Sequence, residues 1–166
     1  MIRSSQQWFI FRHGLATRSK TGYGDQILTA EVLPEGIPPV RTLAAHLRDK
    51  PYDFGACSEL IRCQQTAGIV TEITGRTFVT DGRLNEQIKE SYDSVRARVR
   101  DFVTEIGASP HEHVWICTHG AIIAALKHYL TKGDESRINE MDYIQPGELL
   151  VIKEGQAEVI RFPQFV

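Results

Sequence analysis

The sequence predicts an α/β fold, a three-layer sandwich in which a mostly parallel, doubly wound sheet ends in a C-terminal antiparallel hairpin. Short apolar runs of strand formers alternate with longer segments of helical periodicity, a pattern typical of parallel sheets covered by helices on both faces. The last two apolar runs instead flank the turn pair Glu154-Gly155. At 166 residues the chain has the length of one domain, so we expect residues 1–166 to form a single domain.

The predicted elements of the first half begin with a buried strand at residues 8–11, a short run of apolar strand formers. A loop rich in glycine and proline follows, and Pro38 and Pro39 suit the first turn of the next helix. The apolar face of that helix is spaced i, i+3, i+4 and i+7: Val40, Leu43, Ala44 and Leu47. A weaker strand pattern at residues 52–57 precedes a helical pattern at residues 59–74.

The second half contains one ambiguous segment. Residues 77–80 form a β-branched strand pattern, but residues 95–100 alternate like a strand inside a longer helical register. Because length favours the helix, we predict one helix through Tyr92, Val95, Val99, Phe102 and Ile106, closed by Pro110. The remaining predicted elements are a strand at 113–118, a helix at 121–130 that ends at Gly133, and the hairpin strands at 149–152 and 157–160.

Composition excludes several classes of partner. The formal net charge is −2, so the chain lacks the positive charge typical of proteins that bind nucleic acid. It also has no polybasic segment that would bind a membrane surface. The apolar run at residues 8–11 is too short for a signal-peptide core or a membrane span. The three cysteines form no CxxC pair and are odd in number, which argues against a disulfide framework. We therefore expect a cytoplasmic protein.

Two histidines and two arginines follow predicted strands. Arg12-His13-Gly14 follows the first strand, Arg62 opens the helix after the second, and Thr118-His119-Gly120 ends the strand at 113–118. In open α/β sheets, ligands bind beyond the carboxyl ends of the strands. The topology thus predicts that all four side chains meet at one edge of the sheet.

This set of side chains suits phosphoryl transfer. Arginine offers paired donors to phosphate and keeps its charge, while a neutral imidazole can attack phosphorus and hold the group as a phosphoramidate. Gly14 and Gly120 allow the backbone to approach an anion closely, and the helix after Gly120 directs its free N–H groups to the same place. The residues predict a phosphoryl pocket with a nitrogen nucleophile.

Other chemistries lack their motifs. A cysteine phosphatase needs C-x5-R, whereas Cys57 and Arg62 are spaced C-x4-R. A zinc hydrolase needs H-E-x-x-H, and in the segment that starts at His111 the second ligand position is Trp115. Neither GxGxxG nor GxxxxGK[ST] occurs. The sequence therefore predicts an enzyme with no metal and no cofactor.

Three motifs in order carry a resemblance to a known family. Arg12-His13-Gly14 matches an RHG signature, and residues 58–67 resemble SPLxRAxQTA with Glu59 in place of proline and Cys63 in place of alanine. Thr118-His119-Gly120 matches the family's second histidine. The chain resembles the histidine phosphatase superfamily, which includes cofactor-dependent phosphoglycerate mutases and acid phosphatases. Ala16 and the short length are similar to the small phosphohistidine phosphatases.

The resemblance implies a role for each site residue. His13 would be the phosphorylated nucleophile, and Arg12, Arg62 and His119 would bind and polarise the phosphoryl group. Leu84-Asn85-Glu86 resembles the segment with the proton-donating glutamate, which implies that Glu86 is the general acid. Further phosphate-binding candidates are Gly120, Thr17 and Ser19.

The expected function is hydrolysis of phosphomonoesters or phosphohistidine, with a phosphorylated small molecule or a phosphoprotein as the partner. Residues 87–118 are occupied by a helix and a strand, which leaves no room for the substrate-covering insert of the mutases. We therefore predict an open pocket, which admits water and favours hydrolysis. Mutase-type phosphoryl transfer and a non-catalytic phosphate-binding module are the alternatives. A binding module could lack one of the two histidines, whereas this chain has both, which favours an enzyme. The sequence does not indicate the oligomeric state.

Overall fold

A computed structural model describes residues 5–131 and 144–162. The elements are β1 (Gln7–Arg12), α1 (Ile37–Leu47), β2 (Phe54–Cys57), α2 (Ile61–Thr74), β3 (Val79–Thr80), α3 (Tyr92–Ala108), β4 (His113–Thr118), α4 (Gly120–Thr131), β5 (Leu149–Lys153) and β6 (Gln156–Ile160). Every predicted helix and strand is present. The predicted helix end at Gly133 lies outside the described residues.

The strands form one sheet in the order β3-β2-β4-β1-β5-β6. The pairs that join β3, β2, β4 and β1 are parallel, whereas β5 is antiparallel to both β1 and β6. The predicted fold class is therefore confirmed, including the C-terminal hairpin.

The helices cover both faces of the sheet. One core lies between the sheet and α1 with α2, and it includes Phe9, Phe11 and Trp115. The other core lies between the sheet and α3 with α4, and it includes Trp8 and Ile10. Alternate residues of β1 thus face opposite layers, as the side-chain period of a strand requires. Among the described residues, none of the helices has the length and apolar content needed to cross a bilayer.

Three elements begin two residues later than predicted. The strand predicted at residues 52–57 begins at Phe54. The strand predicted at residues 77–80 is reduced to Val79–Thr80, which is exposed and pairs only with Ala56 and Cys57 at the edge of the sheet. The helix predicted from residue 59 begins at Ile61, because Leu60 is in an extended conformation.

Candidate active site

The register between β1 and β4 brings the two histidines together. Arg12 pairs with Thr118, so His13 and His119 each come one residue after the end of a neighbouring parallel strand. The backbone N–H of His13 still donates to Thr118 O at 3.2 Å, which holds the two strand ends side by side. The two imidazole ring centroids lie 5.1 Å apart.

His13 has the tautomer that a nucleophile needs. Its side chain is 1% exposed, and Nδ1 lies 2.8 Å from the carbonyl oxygen of Gly14. Because a carbonyl only accepts, Nδ1 carries the proton and Nε2 keeps its lone pair. Burial, with smaller contributions from the charges of Arg12 and Arg62, lowers the pKa of His13 to about 3. The ring is therefore neutral near pH 7.

Both arginines have donors left for a ligand. Arg62 is fully buried and donates from Nη1 to the carbonyl of Ile27 at 2.6 Å, but its Nε and Nη2 have no hydrogen-bond partner among the described residues. Arg12 donates from Nη1 to the carbonyl of Ile144 at 3.2 Å, and its buried Nε is likewise unpartnered in that part of the chain. Guanidinium groups held in this way favour an anion with several acceptor oxygens.

The two ring nitrogens of His119 differ in their hydrogen bonds. Nε2 lies 2.9 Å from Ser58 Oγ and 3.5 Å from Cys63 Sγ. Nδ1 has no hydrogen-bond partner within the described residues, and the nearest carboxylate oxygen, Glu86 Oε2, is 3.5 Å away. Burial, together with the nearby charges of His13 and the arginines, lowers the pKa of His119 well below its ordinary value.

The structure brings Glu86 to the same pocket. Its Oε2 lies 3.8 Å from Arg62 Nη2 and 3.5 Å from His119 Nδ1. Burial raises the pKa of the Glu86 carboxyl, because desolvation outweighs the opposing charges of the arginines. The raised pKa favours the protonated form of Glu86, which is the form that a general acid requires.

Arg98 supports the loop that carries Glu86. The sequence suggests that Arg96, Arg98 and Arg100 lie on a solvated helix face, but Arg98 is only 19% exposed. Its guanidinium donates to the carbonyl oxygens of Arg83 at 2.7 Å and Glu86 at 3.4 Å. The sequence pattern of alternating arginines did not indicate that Arg98 supports the Glu86 loop, because this contact depends on how α3 packs beneath the loop.

The predicted open pocket is wrong for this conformation. The loop between β1 and α1 covers the site: the ring of Tyr23 lies 4.3 Å from the guanidinium carbon of Arg62 and 6.4 Å from the ring of His13. Ile27 of the same loop accepts the Arg62 hydrogen bond. The prediction of an open pocket rested only on the lack of an insert after Glu86, whereas the residues that cover the site belong to the loop between β1 and α1.

The additional phosphate-binding candidates lie in two places. Gly120 is buried and begins α4, next to His119. Thr17 and Ser19 lie in the covering loop, where Ser19 N donates to Thr17 Oγ1 at 3.1 Å, and their part in phosphate binding stays a prediction. Gly14 serves packing, since a Cβ there would lie 3.0 Å from methyl carbons of Val32 and Val40.

The rival chemistries gain no support from the geometry. Cys57 is buried, and burial raises the pKa of its thiol to about 12, so it is not a thiolate near pH 7. His113 pairs with Asp53 at the opposite end of β4 from His119. In the part of the chain that the structure describes, no group of three or more His, Cys, Asp or Glu side chains could hold a metal ion.

Comparison with known proteins agrees with the site. The model of the histidine phosphatase superfamily (branch 1) matches residues 8–89 and 87–160. The chain belongs to the histidine phosphatase superfamily. Both histidines and both arginines of the pocket lie inside the matched residues of this histidine phosphatase domain. A search of curated protein sequences finds no significant match.

Several solved structures share the fold at low identity. The α-ribazole phosphatase from Shigella flexneri is 17% identical with a TM-score of 0.78, over 94% of this chain and 95% of that chain. A mycobacterial glucosyl-3-phosphoglycerate phosphatase is 20% identical with a TM-score of 0.73, over 93% and 96%. A phosphoglycerate mutase from Bacillus anthracis is 13% identical with a TM-score of 0.73, over 96% and 95%.

Arg62→Lys is expected to lower kcat/KM by about 10²–10³-fold, the typical cost of removing one preorganised donor. Lysine retains the charge, but its donors all lie on one nitrogen. It cannot bond Ile27 O and also offer the planar pair of N–H groups that Arg62 Nε and Nη2 present. Steady-state kinetics with p-nitrophenyl phosphate measures the effect, with the exposed Arg18→Lys as the control for an arginine change on the surface. Wild-type activity in Arg62→Lys would reduce Arg62 to a structural role.

Proposed function

We propose that this histidine phosphatase superfamily member is a metal-independent phosphatase that hydrolyses phosphomonoesters or phosphohistidine through a phosphohistidine intermediate on His13. The observation that carries the proposal is the state of His13: a buried, neutral ring whose Nδ1–H is bonded to Gly14 O and whose Nε2 lone pair has no hydrogen-bond partner among the described residues. Arg12 and Arg62 stand beside it with donors for the phosphoryl oxygens.

In the first step, the lone pair of His13 Nε2 attacks phosphorus and the bond from phosphorus to the leaving oxygen breaks. The arginines neutralise charge on the equatorial oxygens, where most of the catalytic effect in phosphoryl transfer arises. The carboxyl of Glu86 gives its proton to the leaving oxygen, and its raised pKa keeps that proton available. The products are an alcohol, a phosphorylated His13 and a Glu86 carboxylate.

In the second step, water attacks the phosphoryl group and the N–P bond breaks. The Glu86 carboxylate takes a proton from the attacking water, which restores the acid, and the electron pair of the N–P bond returns to Nε2. The products are inorganic phosphate and neutral His13. The residue that acts as acid in one step thus acts as base in the next.

Several observations favour hydrolysis over the alternatives. The chain between Glu86 and His119 consists mainly of α3 and β4, so this segment adds no insert to the cover that the loop between β1 and α1 provides. Two of the similar solved structures are named as phosphatases, which act on small phosphorylated molecules by those names. A binding module would need the arginines, but it would have no use for a neutral nucleophilic nitrogen between them.

Trapping the intermediate tests the proposal. After rapid quenching of a reaction with ³²P-labelled phosphomonoester in excess EDTA, we expect label on His13 that is labile in acid and stable in alkali. Label on a cysteine or serine, or turnover with no labelled protein, would contradict the proposed mechanism. Loss of activity in EDTA that a divalent ion restores would contradict metal independence.

A further inference from the structure

A residue that departs from the family's motif, Glu59, contacts Asn85 close to Ser58, a hydrogen-bond partner of His119. Glu59 replaces the proline of the SPLxRAxQTA segment, and Asn85 lies immediately before the candidate acid. The backbone N–H of Glu59 donates to Asn85 Oδ1 at 2.8 Å, and Asn85 Nδ2 donates to Glu59 Oε1 at 2.9 Å. A proline at residue 59 could not make the first bond, because proline has no N–H. These two bonds fix which end of the Asn85 amide is oxygen.

The orientation of Asn85 determines the hydrogen bonds of Ser58. Ser58 Oγ lies 3.0 Å from Asn85 Oδ1, and since that oxygen only accepts, the single hydroxyl proton of Ser58 points to it. Ser58 Oγ can then only accept its other bonds. It accepts from Leu60 N at 3.1 Å, and the remaining contact is His119 Nε2 at 2.9 Å.

The chain of bonds sets the protonation of His119. Because Ser58 Oγ must accept from Nε2, Nε2 carries a proton, and in the neutral ring Nδ1 has the lone pair. Nδ1 faces the pocket, with Glu86 Oε2 3.5 Å away. We propose that Asn85, held by Glu59, is a positioning residue that fixes His119 through Ser58 as the Nε2–H tautomer, so that Nδ1 is kept for the proton exchanged at the phosphoryl group.

This inference rests on the proposed function and adds to it the state in which His119 acts. The proton comes from the P–OH group of a monoanionic phosphomonoester. Its transfer to Nδ1 leaves a phosphoryl dianion and produces an imidazolium, because Nε2–H remains bonded to Ser58. The N–H at Nδ1 then makes a charge-assisted bond to a phosphoryl oxygen, which is roughly twice as strong as a neutral one. Without Asn85 the Ser58 hydroxyl can turn and donate to Nε2, and the neutral Nδ1–H tautomer competes.

The test reads the tautomer directly in the free protein. Long-range ¹H–¹⁵N correlation spectra of protein labelled with ¹⁵N-histidine show which ring nitrogen of His119 carries the proton, with His119→Gln assigning the signals. We expect Nε2–H in the wild type and a large population of Nδ1–H in Asn85→Leu. The double variant Asn85→Asp with Glu59→Gln keeps the acceptor oxygen toward Ser58 and toward the backbone N–H of residue 59, and its new side-chain amide at residue 59 donates to the other carboxylate oxygen, so it should restore the wild-type tautomer.

Kinetics supply the second readout. Asn85→Leu is expected to lower kcat for p-nitrophenyl phosphate by about 10–100-fold with little change in KM, an effect of the size seen when a partner that orients a catalytic histidine is lost. Gln64→Ala is the matched control, since it removes a bond to Glu59 O on the same turn and leaves Asn85 and Ser58 untouched. This variant should keep the wild-type tautomer and rate.

The outcomes separate this inference from the proposed function. An Nδ1–H tautomer in the wild type, or an unchanged tautomer in Asn85→Leu, would overturn the positioning role whether or not His13 is phosphorylated. The expected tautomers in a protein that forms no phosphohistidine would support the positioning role and contradict the proposed function.

Discussion

His13→Ala is expected to lower kcat for every phosphorylated substrate by about 10⁴–10⁶-fold, the scale on which enzymes lose activity with their nucleophile. The buried imidazole supplies the nitrogen lone pair that faces the phosphate-binding arginines, and alanine supplies no substitute. Binding should survive better than turnover, because Arg12 and Arg62 retain their donors.

Steady-state kinetics with p-nitrophenyl phosphate and isothermal titration with inorganic phosphate separate the two quantities. His46→Ala is the matched control, since it removes a histidine of α1 that packs near Phe162, away from the pocket. Circular dichroism would verify the fold of both variants. Residual turnover of His13→Ala within tenfold of the wild type would show that another group, such as His119, is the nucleophile.

Glu86→Gln is expected to separate substrates by their leaving groups. An alkoxide needs a proton as it departs, and a positioned acid contributes about 10²–10⁴ in rate, so alkyl phosphate hydrolysis should fall by that factor. p-Nitrophenyl phosphate and phosphohistidine need less help and should be largely spared. Burial raises the pKa of Glu86, and only the protonated carboxyl can act as the acid. The rate of alkyl phosphate hydrolysis by the wild type should therefore fall as the pH rises through the pKa of Glu86. Glu86→Gln should lose this pH dependence.

Glu90→Gln is the matched control for this prediction. The Glu90 carboxylate lies in the same segment, but Arg98 lowers its pKa and Ser94 donates to it at 2.7 Å, so it is ionised and engaged elsewhere. A small and uniform effect of Glu86→Gln would make Glu86 a bystander and favour a phosphohistidine phosphatase. A large and uniform effect would mean that Glu86 positions the substrate or supports the loop.

The layout of the fold was predictable because it follows from local patterns. Three of the four parallel strands, β1, β2 and β4, are followed by a recognisable motif. The rule that parallel strands share a carboxyl edge predicts that Arg12, His13, Arg62 and His119 converge. The strand and helix periodicities predicted the elements, but the sheet order β3-β2-β4-β1-β5-β6 depends on pairing between strands that are distant in the chain and was not predicted.

The detail of the site was less predictable because it depends on contacts between distant segments. Tyr23 lies in a loop without periodicity, so nothing in the sequence indicated that it covers Arg62. Arg98 reaches the Glu86 loop only because α3 packs beneath it. The bonds from Ser58 and Glu59 to Asn85 join residues 27 and 26 positions apart, and only the departure from the motif at Glu59 offered a signal.

The unpartnered arginine donors also affect the stability of the free protein. A buried guanidinium with unmet hydrogen-bond donors raises the free energy of the folded state, and unfolding returns those donors to water. Any anion that meets them binds the folded chain alone and so favours folding by mass action. We therefore expect inorganic phosphate, the product of the proposed reaction, to stabilise the folded state and to raise the melting temperature as its concentration increases.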